Sequence, residues 1–457
     1  MRAPLEDSDT ADGSGLRRVA LTWVNHAGAT LVKVVPMHAF RRSVTEGVGF
    51  SPVSDAFRTD GAIASGHRLA VPDGDLRLRA DPASLAPLEP ATGWGWAAGD
   101  RWQRDDVPYA ADQRLFCRAQ SQRLAAAGLS LSAGFELEWM LAEPGADGSC
   151  RPTVAGGPYG GDRLVNGLDY ASALLDALED ADLPWLQFHP EYGASQFELS
   201  LAPAAALEAA DRLVRARLVI QRVSERIGAH CSFSPKPCLD GVGNGGHLHF
   251  SVQRNGTPLL EGGGGEAGLT AEGASILAAV LDELPGLMAL TAPSAVSYLR
   301  LVPGTWAAPF QVWGVENREA ALRLIPAAAD HAPAHAEIKV VDLMANPYLV
   351  LGALQAVVGG ALQPLRQLPA PVHGDPERDP NARQLRLPRS LEESSAAFAA
   401  STVLVQAMGE SLHGSLLDSM AAELQRSAGR TPAQLVQGLR WWPLVGGAPA
   451  PVRQSGG

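Results

Sequence analysis

The most constraining feature of this chain is a set of four short segments in which polar and apolar residues alternate. They are FELEWML at residues 135–141, SQFELSL at 195–201, GHLHFSV at 246–252 and AEIKVV at 336–341. Side chains two positions apart in a β-strand lie on the same face, so each segment predicts a strand with one apolar and one polar face. A solvated antiparallel sheet alternates in the same way. Carboxylates, imidazoles and an amine recur on the polar faces, however, and this favours strands that line one common cavity covered outside by helices.

Carboxylates dominate these polar faces. Glu191 precedes Glu198 by an odd number of residues, and the intervening Gly193-Ala194-Ser195 permits a turn that would bring both to one site. Glutamate oxygens with few histidines are the ligands that Mg²⁺ or Mn²⁺ prefers over Zn²⁺. Several carboxylates held close together repel one another unless cations lie between them. The pattern therefore predicts a site for two divalent ions.

Composition excludes several other classes of function. The chain has 457 residues and a formal net charge of -12, the wrong sign for a protein whose main partner is nucleic acid. The first twenty residues carry Glu6, Asp7, Asp9 and Asp12 and no apolar segment, so we expect no secretory signal. The longest apolar stretch, at 347–362, is too short to span a bilayer, and we expect no membrane partner. Four cysteines without a C-x-x-C pattern indicate reduced thiols, and the predicted location is the cytoplasm.

The common phosphate-binding motifs do not fit. A Walker A loop needs Gly-Lys-Ser/Thr, and none of the three lysines follows a glycine. Residues 241–246 match G-x-G-x-x-G, but a predicted strand follows them rather than a helix, so the dinucleotide interpretation fails. What remains is a site of carboxylates and arginines. Arg300, Arg318 and Arg323 could hold phosphate or carboxylate groups bidentately, although each alone also fits ordinary surface charge.

Turn signals and helical spacing divide the chain into two predicted domains. Residues 19–35 have the pattern of a β-hairpin with a turn at 25–28. A polar stretch precedes helical spacing at 112–127, so we place a small strand-rich domain at 17–108 and a larger domain at 109–457. Further helices are predicted at 169–181, 203–227, 270–290 and 348–362, and from Ser390 onward, where Ser390 and Glu393 fit a capping box.

In chain order, several segments resemble the signature segments of the glutamine synthetase family. They are FELE, HPEYGASQFELS, GNGGHLHFS, RLVPG, NREAALR and AEIKVVDLMANPYL, and the resemblance covers roughly residues 19–440. It implies an α+β fold, with a small N-terminal β-grasp domain and a large catalytic domain whose curved antiparallel sheet lines the active site, with helices outside. It also implies a homo-oligomeric ring, expected to be a dodecamer, with active sites between neighbouring subunits.

The resemblance also implies roles for individual residues. One Mg²⁺ or Mn²⁺ ion would be held by Glu138, Glu191 and Glu198, and a second by Glu136, His247 and Glu337. Nucleotide-binding positions are matched by His249, Ser251 and Arg323. Positions that bind the amino-acid substrate or the phosphoryl group are matched by Asn244, Gly245, Arg300, Arg318 and Lys339, of which Arg300 and Arg318 are the expected catalytic residues. The implied reaction uses ATP to phosphorylate the γ-carboxylate of glutamate, after which an amine attacks the acyl phosphate and phosphate leaves.

Three positions depart from the pattern of family members that use ammonia. An aspartate that follows a phenylalanine in their N-terminal domain is Ser51 here. The glutamate after R-L-V-P-G is missing, because this chain continues TWAAP with one residue inserted. Loss of two acidic groups weakens a site for a small cation, and the Trp306 indole suits an alkyl amine, unless a neighbouring acid such as Asp55 substitutes. The family's glutamate-binding arginine is Lys339, which keeps the charge but loses the bidentate fork.

These departures resemble the branch of the family that makes γ-glutamylated amines. We therefore predict an ATP-dependent ligase that joins the γ-carboxylate of glutamate to a small primary amine, with Ser51 and Trp306 as candidates for the amine pocket. No obvious cluster of acids is available to hold a second ammonium group, which favours ethanolamine over a polyamine. The alternatives are a γ-glutamylpolyamine synthetase, an ammonia-using glutamine synthetase and a non-catalytic structural or regulatory relative.

Overall fold

The computed structural model describes residues 15–145, 149–327 and 333–444, so residues 445–457 of the predicted second domain lie outside it. A first, six-stranded sheet lies near the N-terminus. Its strands are β1 (Arg18–Val24), β2 (Thr30–Pro36), β3 (Val48–Phe50), β4 (Leu76–Ala80), β5 (Ala86–Glu89) and β6 (Trp94–Trp102). Their order is β2-β1-β6-β4-β3, with β5 paired to β6, and the β1–β6 pair is parallel while the other pairs are antiparallel.

The predicted N-terminal hairpin is confirmed, and its turn contacts the rest of the chain. Strands β1 and β2 pair antiparallel over their whole length, and the amide N–H of Gly28 donates to the carbonyl of Asn25 in the turn. Gly28 has a φ of +77°, and a Cβ there would lie 1.8 Å from the carbonyl oxygen of Met344. Only glycine therefore allows the hairpin turn to contact the segment that follows the second sheet.

The second sheet has eleven strands and carries the polar faces predicted from the sequence. Its strands are β7 (Leu129–Pro144), β8 (Cys150–Pro152), β9 (Trp185–Pro190), β10 (Gln196–Leu201), β11 (Ala204–Ala205), β12 (His230–Ser232), β13 (Leu248–Arg254), β14 (Thr257–Pro258), β15 (Trp313–Val315), β16 (Leu322–Ile325) and β17 (His335–Ile338). The main order is β15-β16-β17-β13-β7-β10-β9. Long β7 is the central strand, and every pair is antiparallel except β15–β16, which is parallel.

Helices bury the apolar side chains of this sheet. They are α1 (Phe40–Thr45), α2 (Gln113–Ala126), α3 (Gly161–Asn166), α4 (Leu168–Asp180), α5 (Ala206–Arg226), α6 (Ala271–Thr291), α7 (Ser297–Arg300), α8 (Pro347–Gly360), α9 (Leu391–Ala400), α10 (Thr402–Ser427) and α11 (Pro432–Leu439). Helices α2 and α5 pack on β7, whose Phe135, Leu137 and Trp139 are buried. The α+β class is confirmed.

Most predicted helices are confirmed to within two residues at each end, with two corrections. The helix predicted from residue 203 begins at Ala206, because Ala204 and Ala205 pair with β7 as a short strand. The capping box at Ser390 is incomplete: the Ser390 hydroxyl accepts the N–H of Glu393 at 3.2 Å, but the Glu393 carboxylate accepts the N–H of Arg389.

Helix α6 is long and apolar enough to cross a membrane. However, 78% of its most apolar window is buried inside the protein, as in the core helix of a globular domain.

A buried network of arginines and aspartates joins β6 and α2. Arg101 in β6 donates at 2.6 Å to both Asp55 and Asp112, and all three side chains are almost fully buried. Arg114 in α2 donates bidentately to Asp211 in α5 and also reaches Asp100 in β6. These charge-assisted bonds join the first sheet to the helices on the second.

Candidate active site

The polar face of the second sheet lines a cavity of about 1050 Å³. Strands β7, β10, β13 and β17, which hold most of the four alternating segments, contribute to it, so the prediction of one common cavity is confirmed. The predicted site residues that line it are Glu136, Glu138, Glu191, Glu198, His247, His249, Arg300, Trp306, Arg318, Arg323, Glu337 and Lys339.

One group of metal-ligating side chains lies where β7, β13 and β17 meet. Glu136, His249 and Glu337 each offer a ligand atom, and these atoms all lie within 4.8 Å of one another. His249 is opposite Glu337 in the β13–β17 register, which explains the approach. His247, one residue before β13, places its Nδ1 atom 3.1 Å from Glu136 and 3.4 Å from Glu337. The predicted trio of Glu136, His247 and Glu337 is therefore together, with His249 beside it.

A second group lies at the β9–β10 turn. His189, Glu191 and Glu198 offer ligand atoms within 4.8 Å of one another. The turn predicted between the two glutamates is confirmed, because the Glu191 N–H donates to the Gln196 carbonyl and Ser195 adopts a φ of +55°. His189 was missed in the sequence, although it stands opposite Glu198 in the strand register and its Nε2 lies 3.3 Å from that carboxylate. The sequence held one signal for His189: it precedes Glu191 by two residues, and side chains two positions apart in a strand lie on the same face.

Glu138 lies between the two groups, opposite Glu198 in the β7–β10 register and two residues after Glu136 in β7. Its Oε1 lies 3.7 Å from Nε2 of His247, and its Oε2 accepts a hydrogen bond from Gln196 at 2.9 Å. Gly245 leaves the necessary room, since a Cβ at this position would lie 2.5 Å from the His247 Nε2 and 2.7 Å from the Glu138 carboxylate. Any larger residue at 245 would displace the His247 imidazole and the Glu138 carboxylate.

The protonation of the cavity acids reflects burial and uneven access to positive charge. Burial raises the pKa of Glu138 and of Glu198 to about 7. Burial alone would also raise the pKa of Glu337, but the charge of Lys339 and then the two nearby histidines hold it at about 2. The pKa of Glu136 is held well below its ordinary value, against the effect of burial, by hydrogen bonds from His247 and His249.

The donor set of the cavity fits divalent cations. Five buried or half-buried carboxylates and four imidazoles line the cavity, and burial of the negative charge raises the pKa values of Glu138 and Glu198 to about 7. Oxygen-rich sites with few imidazoles are typical of Mg²⁺ and Mn²⁺. The two groups could each hold one such ion, with Glu138 placed to serve either.

The basic residues of the cavity are partly engaged with the acids. Arg323 Nη1 lies 3.1 Å from Glu337, and the Lys339 ammonium lies 3.2 Å from the same carboxylate. Lys339 is therefore paired with Glu337, one of the candidate metal ligands, as well as facing the cavity. Arg300 is buried and donates to the Val341 carbonyl at 2.9 Å, whereas Arg318 is exposed at the cavity wall.

Four predicted site residues do not line the cavity. The Asn244 side chain is buried, where it accepts a hydrogen bond from Gln196 and donates to the carbonyls of Ser232 and Ser234. Gly245 acts through the space that it leaves. Ser251 lies two residues after His249 in β13 and is not among the residues that line the cavity. Ser51 instead caps the short turn at Pro52–Ala56, where its hydroxyl accepts the Val53 N–H.

The alternative that Asp55 replaces a missing acid of the amine pocket is wrong for this chain's own cavity. Its carboxylate is fully buried and engaged with Arg101 and Gln113. Within the described residues, the cavity mouth instead carries three aromatic side chains, of which only Trp306 was predicted. Tyr159, Tyr192 and Trp306 are 53%, 57% and 61% exposed.

Comparisons with known proteins agree with this geometry. The chain matches the family profile "Glutamine synthetase, catalytic domain" over residues 110–435. It is 41% identical to the gamma-glutamylpolyamine synthetase GlnA3 of Streptomyces coelicolor over 439 residues, which are 94% of each protein. It is 31% identical to the glutamine synthetase of Thermococcus kodakarensis over 75% of this chain and 73% of that protein.

Solved structures show the same fold. A crystal structure of a novel glutamine synthase homolog covers 96% of this chain and 99% of its own at a TM-score of 0.83 and 27% identity. A GmaS/ADP complex covers 92% of this chain and 96% of its own at a TM-score of 0.82 and 26% identity. The chain belongs to the glutamine synthetase family, and it is an ATP-dependent carbon–nitrogen ligase.

Proposed function

We propose that this ligase joins the γ-carboxylate of glutamate to a polyamine through a γ-glutamyl phosphate intermediate. One observation carries the proposal: the similarity to a gamma-glutamylpolyamine synthetase extends over 94% of both chains at 41% identity. The match to the glutamine synthetase of Thermococcus kodakarensis is weaker and shorter. The expectation of ethanolamine, which rested on the lack of an acid cluster in the sequence, gives way to the polyamine alternative.

The cavity mouth supports an extended amine. The Tyr159 and Tyr192 rings lie edge to face, 6.4 Å apart, and Tyr159 also lies 6.3 Å from His189. Methylene groups of a polyamine can pack on such rings, and the ring faces attract ammonium groups. Glu191 fixes the backbone of both tyrosines, because its carbonyl accepts the Tyr159 N–H at 3.4 Å and its carboxylate accepts the Tyr192 N–H at 2.6 Å. Recognition of a second ammonium group would therefore rest on aromatic faces rather than on an acid cluster.

The inner cavity supports phosphoryl transfer. The groups Glu136, His249, Glu337 and His189, Glu191, Glu198 would hold two Mg²⁺ or Mn²⁺ ions, with Glu138 and His247 between them. Divalent ions at such sites supply positive charge that neutralises phosphoryl oxygens. Arg323 and Arg318 present guanidinium groups that can hold the transferring phosphoryl group, and Arg300 and Lys339 can hold the carboxylates of glutamate.

We further propose that the enzyme works in the cytoplasm as a homo-oligomeric ring. Ser51 does not line the cavity of its own chain, so a part for it in the amine pocket requires a neighbouring subunit. Sedimentation of the purified protein tests the ring directly: an assembly of many subunits is expected, and a stable monomer with full activity would overturn this point.

A product assay tests the proposed reaction. Purified enzyme is incubated with Mg²⁺ or Mn²⁺, ATP and glutamate, and with ammonium, ethanolamine, methylamine, putrescine or spermine in turn. Phosphate release and mass spectrometry of the products are measured. We expect a γ-glutamyl product with putrescine or spermine at a kcat/KM at least tenfold above that with ammonium or ethanolamine. Turnover with ammonium alone, or a preference for ethanolamine, would contradict the proposal.

A further inference from the structure

A short loop covers one side of the cavity. Residues 302–308, here called the Trp306 loop, follow helix α7 and lead towards β15. Val302, Gly304, Thr305, Trp306 and Ala307 all line the cavity. The loop thus carries the residue that replaces the missing family glutamate, and it presents an exposed indole to whatever enters.

The backbone of this loop is strained at two positions. Trp306 has a φ of +56° and Ala308 a φ of +55°, both in the left-handed region that non-glycine residues rarely adopt. Such a conformation is unfavourable for a residue with a Cβ and persists only where the surroundings hold it. The Ala307 and Ala308 side chains are buried, so the loop is packed on its inner side while the Trp306 side chain remains outside.

One carboxylate holds the strained part of the loop. The N–H of Trp306 donates to Oε1 of Glu319 at 2.7 Å, and Ala308, the second strained residue, follows two positions later. Bonds from N–H groups to a carboxylate are stronger than those to a neutral acceptor. Glu319 is anchored in turn, because its own N–H donates to Asn317, whose side-chain amide donates to the carbonyls of Val372 and Gly374.

We propose that Glu319 is a positioning residue that fixes the Trp306 loop over the cavity and thereby sets the affinity for the acceptor amine. The loop itself lacks an acid, and Glu319 supplies one beneath it, directed at the loop backbone rather than at the cavity. Its neighbour Arg318 does line the cavity, so the anchor ties the loop to a wall of the site. This inference rests on the proposed function for the identity of the amine but not for the role of the loop.

Paired variants test the role. Glu319→Ala removes the acceptor, whereas Glu319→Gln keeps a side-chain oxygen for the Trp306 N–H and removes the charge. Glu377→Ala, an exposed glutamate on the segment after Gly374, is the matched control. For Glu319→Ala we expect at least a tenfold rise in the KM for the polyamine, with the KM for ATP and glutamate changed less than twofold. We expect Glu319→Gln to recover most of the amine affinity, and Glu377→Ala to behave as the parent.

Two further readouts separate positioning from other roles. Hydrogen exchange over 302–308 is expected to rise in Glu319→Ala and to stay near the parent level in Glu319→Gln. Phosphate release without amine is expected to rise in Glu319→Ala, since a loosened loop admits water to the acyl phosphate. Unchanged exchange and unchanged amine KM in Glu319→Ala would overturn the proposal. Equal losses in the two variants, with a shifted pH profile, would also overturn it, because they would indicate a proton-transfer role.

These tests stay informative if the acceptor is not a polyamine. Failure of the parent enzyme to use putrescine or spermine refutes the proposed function alone. Loop exchange and amine-independent phosphate release still decide whether Glu319 fixes the Trp306 loop, since neither depends on which amine is the substrate.

Discussion

Two clusters of buried charge in this molecule solve the same electrostatic problem in opposite ways. In the network between β6 and α2, the nitrogens of Arg101 all donate to acceptors, namely Asp55, Asp112, Gln113 and the carbonyl of Ala111. In the cavity, Glu337 is the only one of the five lining acids that the structure pairs with an arginine or lysine within 4 Å, and burial leaves Glu138 and Glu198 with pKa values near 7. The first cluster is complete within the chain, whereas in the proposed function cations from solution complete the second.

The difference separates structural from functional charge. Arginines that are saturated by aspartates neutralise themselves and contribute to joining two sheets, because removal of one partner leaves a buried charge unpaired. Buried acids without a paired arginine or lysine are costly to the folded protein and are retained where they bind something. Buried ionic residues therefore indicate a binding site where some of them remain unpaired.

The largest expected effect comes from breaking the self-neutralised network. Arg101→Met leaves Asp55 and Asp112 buried without their cation, and we expect a loss of about 3–5 kcal/mol in the free energy of unfolding. Urea denaturation followed by circular dichroism measures it. Arg42→Met is the control, since the Arg42–Glu46 pair is exposed and should contribute little. Equal effects of the two variants would show that the network is not structural.

Removal of a cavity acid should lower the activity without lowering the stability, the opposite of what is expected for the network. Glu138→Gln is expected to lower kcat by about 10²–10³-fold, the usual consequence of removing one preorganised electrostatic contact from a reacting site. Stability in the presence of EDTA should be unchanged or higher, because a repelling carboxylate has gone. Steady-state kinetics and thermal melting in EDTA measure the two quantities. A destabilised but active variant would contradict the comparison.

Divalent cations should stabilise the protein through the cavity alone. At a concentration a hundred times the dissociation constant, one bound ion adds about 2.7 kcal/mol to the free energy of unfolding. We expect Mg²⁺ or Mn²⁺ to raise the melting temperature and EDTA to reverse the rise. The increment should shrink in Glu138→Gln and survive in Arg42→Met. An equal increment in Glu138→Gln would indicate that the ions bind elsewhere.

The smallest effect concerns pH. His26 lies beside the network, with Nδ1 3.0 Å from the Asp55 carbonyl and Nε2 3.4 Å from the Ser415 hydroxyl, and its ring is 6.1 Å from that of His67. Burial lowers the pKa of both histidines, and Asp55, Arg101, Asp418 and Arg68 are the charged groups that also act on them.

The sign of the effect follows from the depressed pKa values. In the unfolded chain each imidazole binds a proton near pH 6.5, whereas in the folded chain it does so only at lower pH. The contribution of the two neutral histidines to the free energy of unfolding is therefore full above pH 6.5 and is lost as the pH falls below it. We expect the urea concentration at the unfolding midpoint to decrease as the pH is lowered from 7.5 to 5.5. The decrease should be less steep in His26→Asn. A parallel fall in both proteins would assign the dependence to other groups.

The sequence predicted the cavity better than the network. Alternation with period two put Glu136, Glu138 and Glu198 on one face, and the neighbouring strands brought these faces together. The network was not predicted, because Arg101 and Asp55 are 46 residues apart and neither belongs to a periodic pattern. Side chains whose positions depend on a turn or on the strand register were not predicted either. Among them are His189, opposite Glu198, and Glu319, beneath the Trp306 loop. Their positions depend on tertiary contacts that local spacing does not encode.

The amine was the least predictable property, because it depends on the shape of the cavity mouth. The sequence indicated that acids were missing near residues 51 and 306, but not that tyrosines would flank the entrance. Tyr159 lies in a segment without periodicity. Tyr192 directly follows Glu191, and that carboxylate was the residue predicted to have a role there. The missing acids therefore favoured a short amine, whereas the exposed aromatic rings fit a longer one.

The stoichiometry of Mn²⁺ binding tests the contrast between the two clusters most directly. Electron paramagnetic resonance of free Mn²⁺, titrated with the parent enzyme, Glu198→Ala, Glu337→Ala and Arg101→Met, counts the ions held by each chain. We predict two ions for the parent, one fewer in each glutamate variant, and two in Arg101→Met as long as it remains folded. Binding that is unaffected by both glutamate substitutions would contradict the account.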